Sequence, residues 1–150
     1  MSDLTSYLQH ESRINYIDAE RMKIEHIAIW AKDIEKLKDF YTRYFQATAG
    51  SKYFNVKKNF QSYFLTFEGN CRLELMQMPE IQARTNDLHN QFLGLNHMAI
   101  SVGSKESVDV LTERLRKDGF EILGEPRTTG DGYYESVLAD PEGNRIEITI

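Results

Sequence analysis

Cysteine is nearly absent: Cys71 is the only one in 150 residues. A single thiol forms no internal disulfide and supports no cysteine-based zinc cluster, and such a chain suits a reducing cytoplasm. Basic charge is also short. Lys and Arg number 18 against 23 Asp and Glu, a net charge of −5, which argues against a nucleic-acid binder that relies on bulk positive charge. No run approaches the roughly 18 apolar residues of a membrane span. The first residues, Met1 to Ser6, lack the basic-then-apolar pattern of a signal peptide. A membrane protein and a disulfide-stapled secreted protein are both disfavoured. So is wholesale disorder, because hydrophobic residues make up 41% and charged residues 27% of the chain, near globular averages. The length fits one ordinary domain, or two small modules sharing a core.

What the chain does contain is a repeat. Residues 23–29 and 94–100 are apolar-rich runs carrying His26 and His97, and each leads into a helical pattern. Residues 68–75 and 142–148 each hold Glu-Gly-Asn followed by a strand pattern, with Glu74 and Glu147 inside it. His97 follows His26 by 71 residues and Glu147 follows Glu74 by 73. Two separate pairs of segments thus share nearly one shift, which predicts two copies of one unit, about 23–78 and 94–150, with a linker over 79–93. Each copy reads β-α-β-β-β, an α+β fold. In the first, strands are predicted over 23–31, 47–55, 61–68 and 71–78. Asp33 caps a helix to about Phe45 with Ile34, Leu37, Phe40, Tyr41, Tyr44 and Phe45 on one face. In the second, strands are predicted over 95–102, 120–125, 133–139 and 144–150. Ser104 caps a helix with Val108, Leu111 and Leu115 inward, stopped by Gly119. Residues 1–22 read as a peripheral arm, with Leu4, Tyr7, Leu8 and Ile14 compatible with a short helix.

Alternation along a strand separates its two faces. His26, Glu74, His97 and Glu147 fall on the mixed face of their strands, while the other face is aliphatic in all four, as under covering helices. A lone strand histidine is usually structural and a lone strand glutamate usually faces solvent. The set is more telling. Equivalent positions converge if the modules pack about a pseudo-twofold axis, and four ionisable groups buried together are costly unless paired or holding a cation. Two imidazoles and two carboxylates suit a divalent first-row metal: Ni, Zn or Co, with Fe and Mn as further options. Beside them, Trp30, Met76, Met78, Tyr63 and Tyr133 are candidates for a substrate pocket.

At these residues the chain resembles the vicinal oxygen chelate superfamily, which includes glyoxalase I, methylmalonyl-CoA epimerase, extradiol dioxygenases, and fosfomycin- and bleomycin-resistance proteins. The carriers are His26 in His-Ile-Ala-Ile, Asp33 with the helix through Phe40-Tyr41, and Glu74 in Arg-Leu-Glu-Leu. In the second copy they are His97 in Leu-Asn-His-Met-Ala-Ile, and Asp140-Pro141-Glu142-Gly143-Asn144 leading to Glu147. The resemblance implies two βαβββ modules whose curled mixed sheets form half-barrels around one metal per site, with helices outside. It also implies a homodimer, with the site either inside one chain or shared between two. The His, Glu, His, Glu set looks most like glyoxalase I. That implies a lyase or isomerase acting through an enediolate on a small α-hydroxycarbonyl or hemithioacetal, with Glu74 and Glu147 as candidate bases. A non-catalytic small-molecule binding or resistance protein is the alternative, as is an epimerase or thiol transferase of the same superfamily. Trp30 and Met78 stand where glutathione-using relatives carry an Arg and an Asn, which points to a less anionic substrate.

Overall fold

A computed structural model describes residues 23–83 and 87–150. The expected N-terminal arm lies outside the described residues. The first module runs β1 (His26–Trp30), α1 (Ile34–Phe45), β2 (Thr48–Ala49), β3 (Tyr53–Asn55), β4 (Phe60–Thr66) and β5 (Arg72–Gln77). The second runs β6 (His97–Ser101), α2 (Lys105–Lys117), β7 (Ile122–Thr128), β8 (Tyr134–Ala139) and β9 (Arg145–Thr149). The described parts of 79–93 carry no helix or strand, as expected of a linker. Among the described residues, no helix is long and apolar enough to cross a membrane.

The two modules share one topology. The first sheet has the order β1-β5-β4-β2, with β3 also on β4; the second has the order β6-β9-β8-β7. In each, the first strand lies parallel to the last, β1 on β5 and β6 on β9, and the remaining pairs are antiparallel. One correction concerns 47–55, expected as a single strand. It is split into β2 and β3, both paired to β4. The break falls at Gly50-Ser51-Lys52, where the Gly50 N–H still donates to the Phe64 carbonyl at 2.9 Å and Lys52 turns to reach Glu35 at 3.0 Å.

Helix α1 begins where its capping chemistry dictates. Asp33 is extended, and its carboxylate accepts from the Lys36 N–H at 3.0 Å, which satisfies a first-turn donor. The six apolar residues expected inward are all buried. In α2, Ser104 caps through the Ser107 N–H at 3.1 Å. Gly119 ends the helix with a φ of 90°, in the left-handed region that favours glycine. Here the expected inward face is incomplete. Val108 and Leu115 are buried and Leu111 only partly so, while Thr112 is fully buried. Its hydroxyl donates to the Val108 carbonyl at 2.7 Å and meets the Ser136 hydroxyl at 2.6 Å, so burial leaves no orphan polar group.

One core joins the modules. It includes Ile34 and Leu37 of α1, Leu73 and Leu75 of β5, Leu115 of α2, and Ile146 and Ile148 of β9. Phe120, just before β7, packs on Phe40 and Tyr44 with ring centroids 5.0 and 5.3 Å apart. Polar contacts lock the same seam. The Tyr41 hydroxyl donates to Asp140 at 2.9 Å, and Glu142 accepts the Lys32 and Asp33 backbone N–H groups at 3.1 and 3.0 Å. The modules therefore meet through α1 and the Asp140–Asn144 turn, and the His- and Glu-bearing sheet faces are left out of that contact.

Candidate metal centre

The parallel pairing of β1 with β5 and of β6 with β9 builds the same motif twice. His26 lies opposite Arg72 and Ala28 opposite Glu74; His97 lies opposite Arg145 and Ala99 opposite Glu147. Each histidine therefore reaches its glutamate along a diagonal of one sheet face. The Nε2–Oε2 distance is 3.8 Å for His26–Glu74 and 3.2 Å for His97–Glu147. The imidazoles are 40% and 42% exposed, the carboxylates 16% and 15%.

The other imidazole nitrogen is held in both pairs by the preceding side chain. His26 Nδ1 lies 2.5 Å from Glu25 Oε2, and His97 Nδ1 lies 3.0 Å from Asn96 Oδ1. With the Nδ1 proton given to that acceptor, Nε2 is the nitrogen free to ligate a cation, on the side of the carboxylate. Arg72 grips Glu25 through Nε at 2.8 Å and also through Nη2, while stacking over Phe64 at 4.1 Å. The Glu25 carboxyl is held below its usual range, first by His26 and then by Arg72. Arg145, the equivalent arginine, donates instead to the Leu88 carbonyl.

The chemistry of the donor set fits a divalent first-row cation, in two halves. Within one chain the four residues do not converge: among the described residues, no three His, Cys, Asp or Glu side chains come together to hold a metal. A cleft of about 1030 Å³ runs between the edge strands β1 and β6, lined by Trp30, Met78, His97, Asn144 and Arg145 among others. Of the four candidate ligands, it takes in His97 alone.

The pocket candidates divide. Trp30 pairs in register with Met76 on the face of His26 and Glu74. Met78 follows the end of β5 and lines the cleft. Tyr133 is exposed and, by alternation, falls with Glu135 on the face of Glu147. Tyr63 is a correction. It pairs with Leu75 in register, on the helix-covered face, where its hydroxyl donates to Glu35 at 2.9 Å. Cross-strand register decides the face of β4.

One residue on the His–Glu face was missed. Glu135 of β8 is buried, paired to Arg127 at 2.9 Å, and lies against Glu147. Burial foremost, then the Glu135 charge, pushes the Glu147 carboxyl above its usual range. The alternation of β8 puts Glu135 opposite Thr149 and was the available signal.

Known proteins match this architecture. The E. faecalis protein described as a member of the glyoxalase family superposes with a TM-score of 0.69 at 25% identity, covering 87% of this chain and 99% of its own. Leishmania major trypanothione-dependent glyoxalase I gives a TM-score of 0.67 at 22% identity over 85% of this chain and 86% of its own. Zea mays glyoxalase I gives 0.68 at 21% identity, covering 85% of this chain but only 44% of the maize chain. The Bacillus subtilis (strain 168) protein YqjT, described as uncharacterized, is 26% identical over 128 residues, 83% of this chain and 96% of its own. Members of the group commonly bind a divalent metal. The Glyoxalase/Bleomycin resistance protein/Dioxygenase superfamily pattern matches residues 23–148, the span of both modules, and the chain belongs to that superfamily.

Proposed function

We propose that the protein is a metal-dependent lyase or isomerase of the glyoxalase I type. It works as a homodimer in which His26 and Glu74 of one protomer and the partner's His97 and Glu147 hold each metal. One observation carries this reading: two equivalent His–Glu pairs, each with Nε2 toward its carboxylate, each only half of a ligand set, on faces that the chain leaves half exposed. Two protein donors are too few for a tightly held first-row cation, and four suit it. A second copy facing the first completes two sites and covers both faces at once. The bound cation supplies Lewis acidity toward two adjacent oxygens of the substrate. A glutamate of the set, Glu74 or Glu147, takes the proton from the carbon beside a carbonyl and returns it to the neighbouring carbon. The substrate class is a small α-hydroxycarbonyl or a hemithioacetal.

Complementation tests the shared site. His26→Ala and His97→Ala homodimers are each expected to hold metal poorly. When the two are unfolded and refolded as an equal mixture, half of the dimers are mixed. Each mixed dimer has one site with both histidines intact and one with neither, so about a quarter of all sites regain full metal affinity. A site built inside one chain regains none on mixing. Retention of stoichiometric metal by both single variants sinks the ligand assignment itself.

A further inference from the structure

The two half-sites are alike at the metal rows and opposite one row further along the sheet. In the first module, register places Trp30 beside Met76, Met76 beside Ser62, and Ser62 beside Tyr53, a continuous row across β1, β5, β4 and β3. Phe60 lies on the same face by alternation along β4. It takes Trp30 edge-to-face at 6.0 Å and 84°, and Tyr53 at 6.2 Å. In the second module the equivalent row is Ser101, Thr149, Glu135 and Arg127. The first row is uncharged and mainly aromatic and thioether, with the buried Ser62 between Met76 and Tyr53; the second carries a carboxylate and a guanidinium beside two hydroxyls. Within the single chain Trp30 is 42% exposed and Tyr53 54% exposed, a large area of aromatic surface beside a candidate metal site.

We infer that the Trp30–Met76–Tyr53 row, with Phe60, is a specificity wall for an uncharged aryl arm of the substrate, whose vicinal oxygens sit at the His–Glu rows. The inference rests on the metal-enzyme reading for the oxygen-bearing head but not for the arm. An edge-to-face pair such as Trp30–Phe60 presents ring faces and edges on which a further ring stacks favourably, and Met76 adds a polarizable surface. Within the row, Met76 and Ser62 carry no charge, and the aromatic members add none, so nothing in it rewards an anionic arm. The charged groups of the two rows, Glu135 and Arg127, both lie on the second module's row. A substrate spanning both rows is therefore apolar on one side and polar on the other.

Trp30 is the only tryptophan in the chain, so its fluorescence reports the wall directly. The first measurement needs no metal: 2-phenylethanol is titrated into the metal-free protein. A saturable change in Trp30 emission, absent with ethanol, is expected; a linear or absent response overturns the wall. The second compares mandelate with lactate on zinc-loaded protein by calorimetry. The two share a hydroxyl and carboxylate head and differ in phenyl against methyl. Mandelate is expected to bind about tenfold tighter, a difference of about 1.4 kcal/mol. Trp30→Ala and Tyr53→Ala, with zinc stoichiometry unchanged, are each expected to bring the ratio to within about twofold. Equal affinities in the wild type, or a ratio surviving both substitutions, overturn the proposal. If zinc fails to bind while 2-phenylethanol saturates, the metal-enzyme reading falls and the wall stands.

Discussion

The Tyr41 hydroxyl donates to Asp140 Oδ2 at 2.9 Å across 99 residues of chain, fully buried, and so ties helix α1 of the first module to the β8–β9 turn of the second. Asp140 is itself spent on its own turn. Its Oδ1 accepts the Glu142 and Asn144 backbone N–H groups, both at 2.9 Å. Burial pushes its carboxyl up despite these donors. Tyr41→Phe removes one donor from a buried acidic group and is expected to cost about 1.5–3 kcal/mol. Tyr44→Phe removes the comparable bond to the half-exposed Asp118 and is expected to cost about 1 kcal/mol or less, because water replaces the lost donor. Urea unfolding of both variants checks the order; equal losses would show that the Tyr41 bond carries no special weight.

The pH dependence of stability has a readable contributor at Glu35. Lys38 first, then Lys52, hold its carboxyl down to about 2, and the Tyr63 hydroxyl adds to this. A lowered folded-state pKa stabilises above the unfolded value of 4.5, and the contribution disappears as pH falls toward about 2. Glu35→Gln is therefore expected to be less stable than wild type at pH 7 and to converge with it between about pH 4.5 and 2. Glu35 is 46% exposed, so the gap at neutral pH is expected to stay under about 1 kcal/mol and to shrink in 1 M salt. Denaturant midpoints across pH, at two ionic strengths, test it.

Metal loading should couple to assembly. If each metal bridges two protomers, chelation lowers both the melting temperature and the dimer fraction. A stabilisation of about 2.7 kcal/mol is expected at a metal concentration 100-fold above Kd. His97→Ala and Glu147→Ala should lose this response to added zinc or nickel while keeping the metal-free melting temperature within a few degrees. Thermal melts and sedimentation with and without chelator read both quantities. A melt and dimer fraction indifferent to chelation would contradict the shared site.

The methylglyoxal–glutathione hemithioacetal is expected to be a poor substrate. An indole at position 30 and a thioether at position 78 offer no fork for a peptide carboxylate. Protein loaded in turn with nickel, zinc and cobalt should turn it over with kcat/KM well below about 10⁶ M⁻¹s⁻¹, under the efficient-enzyme range. A value at or above that overturns the substrate argument without touching the metal assignment.

Much of this is legible in the sequence itself, and the reason is locality. Helix α1 came out with its cap at Asp33 and its six inward residues as read, because capping and a 3.6-residue period depend on groups within a few positions of one another. The common face of His26 and Trp30, or of Glu74 and Met76, follows from alternation alone. The repeat of 71 to 73 residues already set His26 equivalent to His97 and Glu74 equivalent to Glu147. Three features needed the packed chain. Tyr63 faces Glu35 because β4 pairs with β5 in a register that a one-residue slip would invert. Glu135 stands against Glu147 because the β8–β9 register sets it opposite Thr149, two residues along from the Val137–Glu147 pair, and a one-residue slip would turn it to the other face. And the His26–Glu74 and His97–Glu147 pairs remain apart within a chain because the modules join through α1, Phe120 and Asp140, contacts between residues 70 to 100 positions apart that no local pattern encodes.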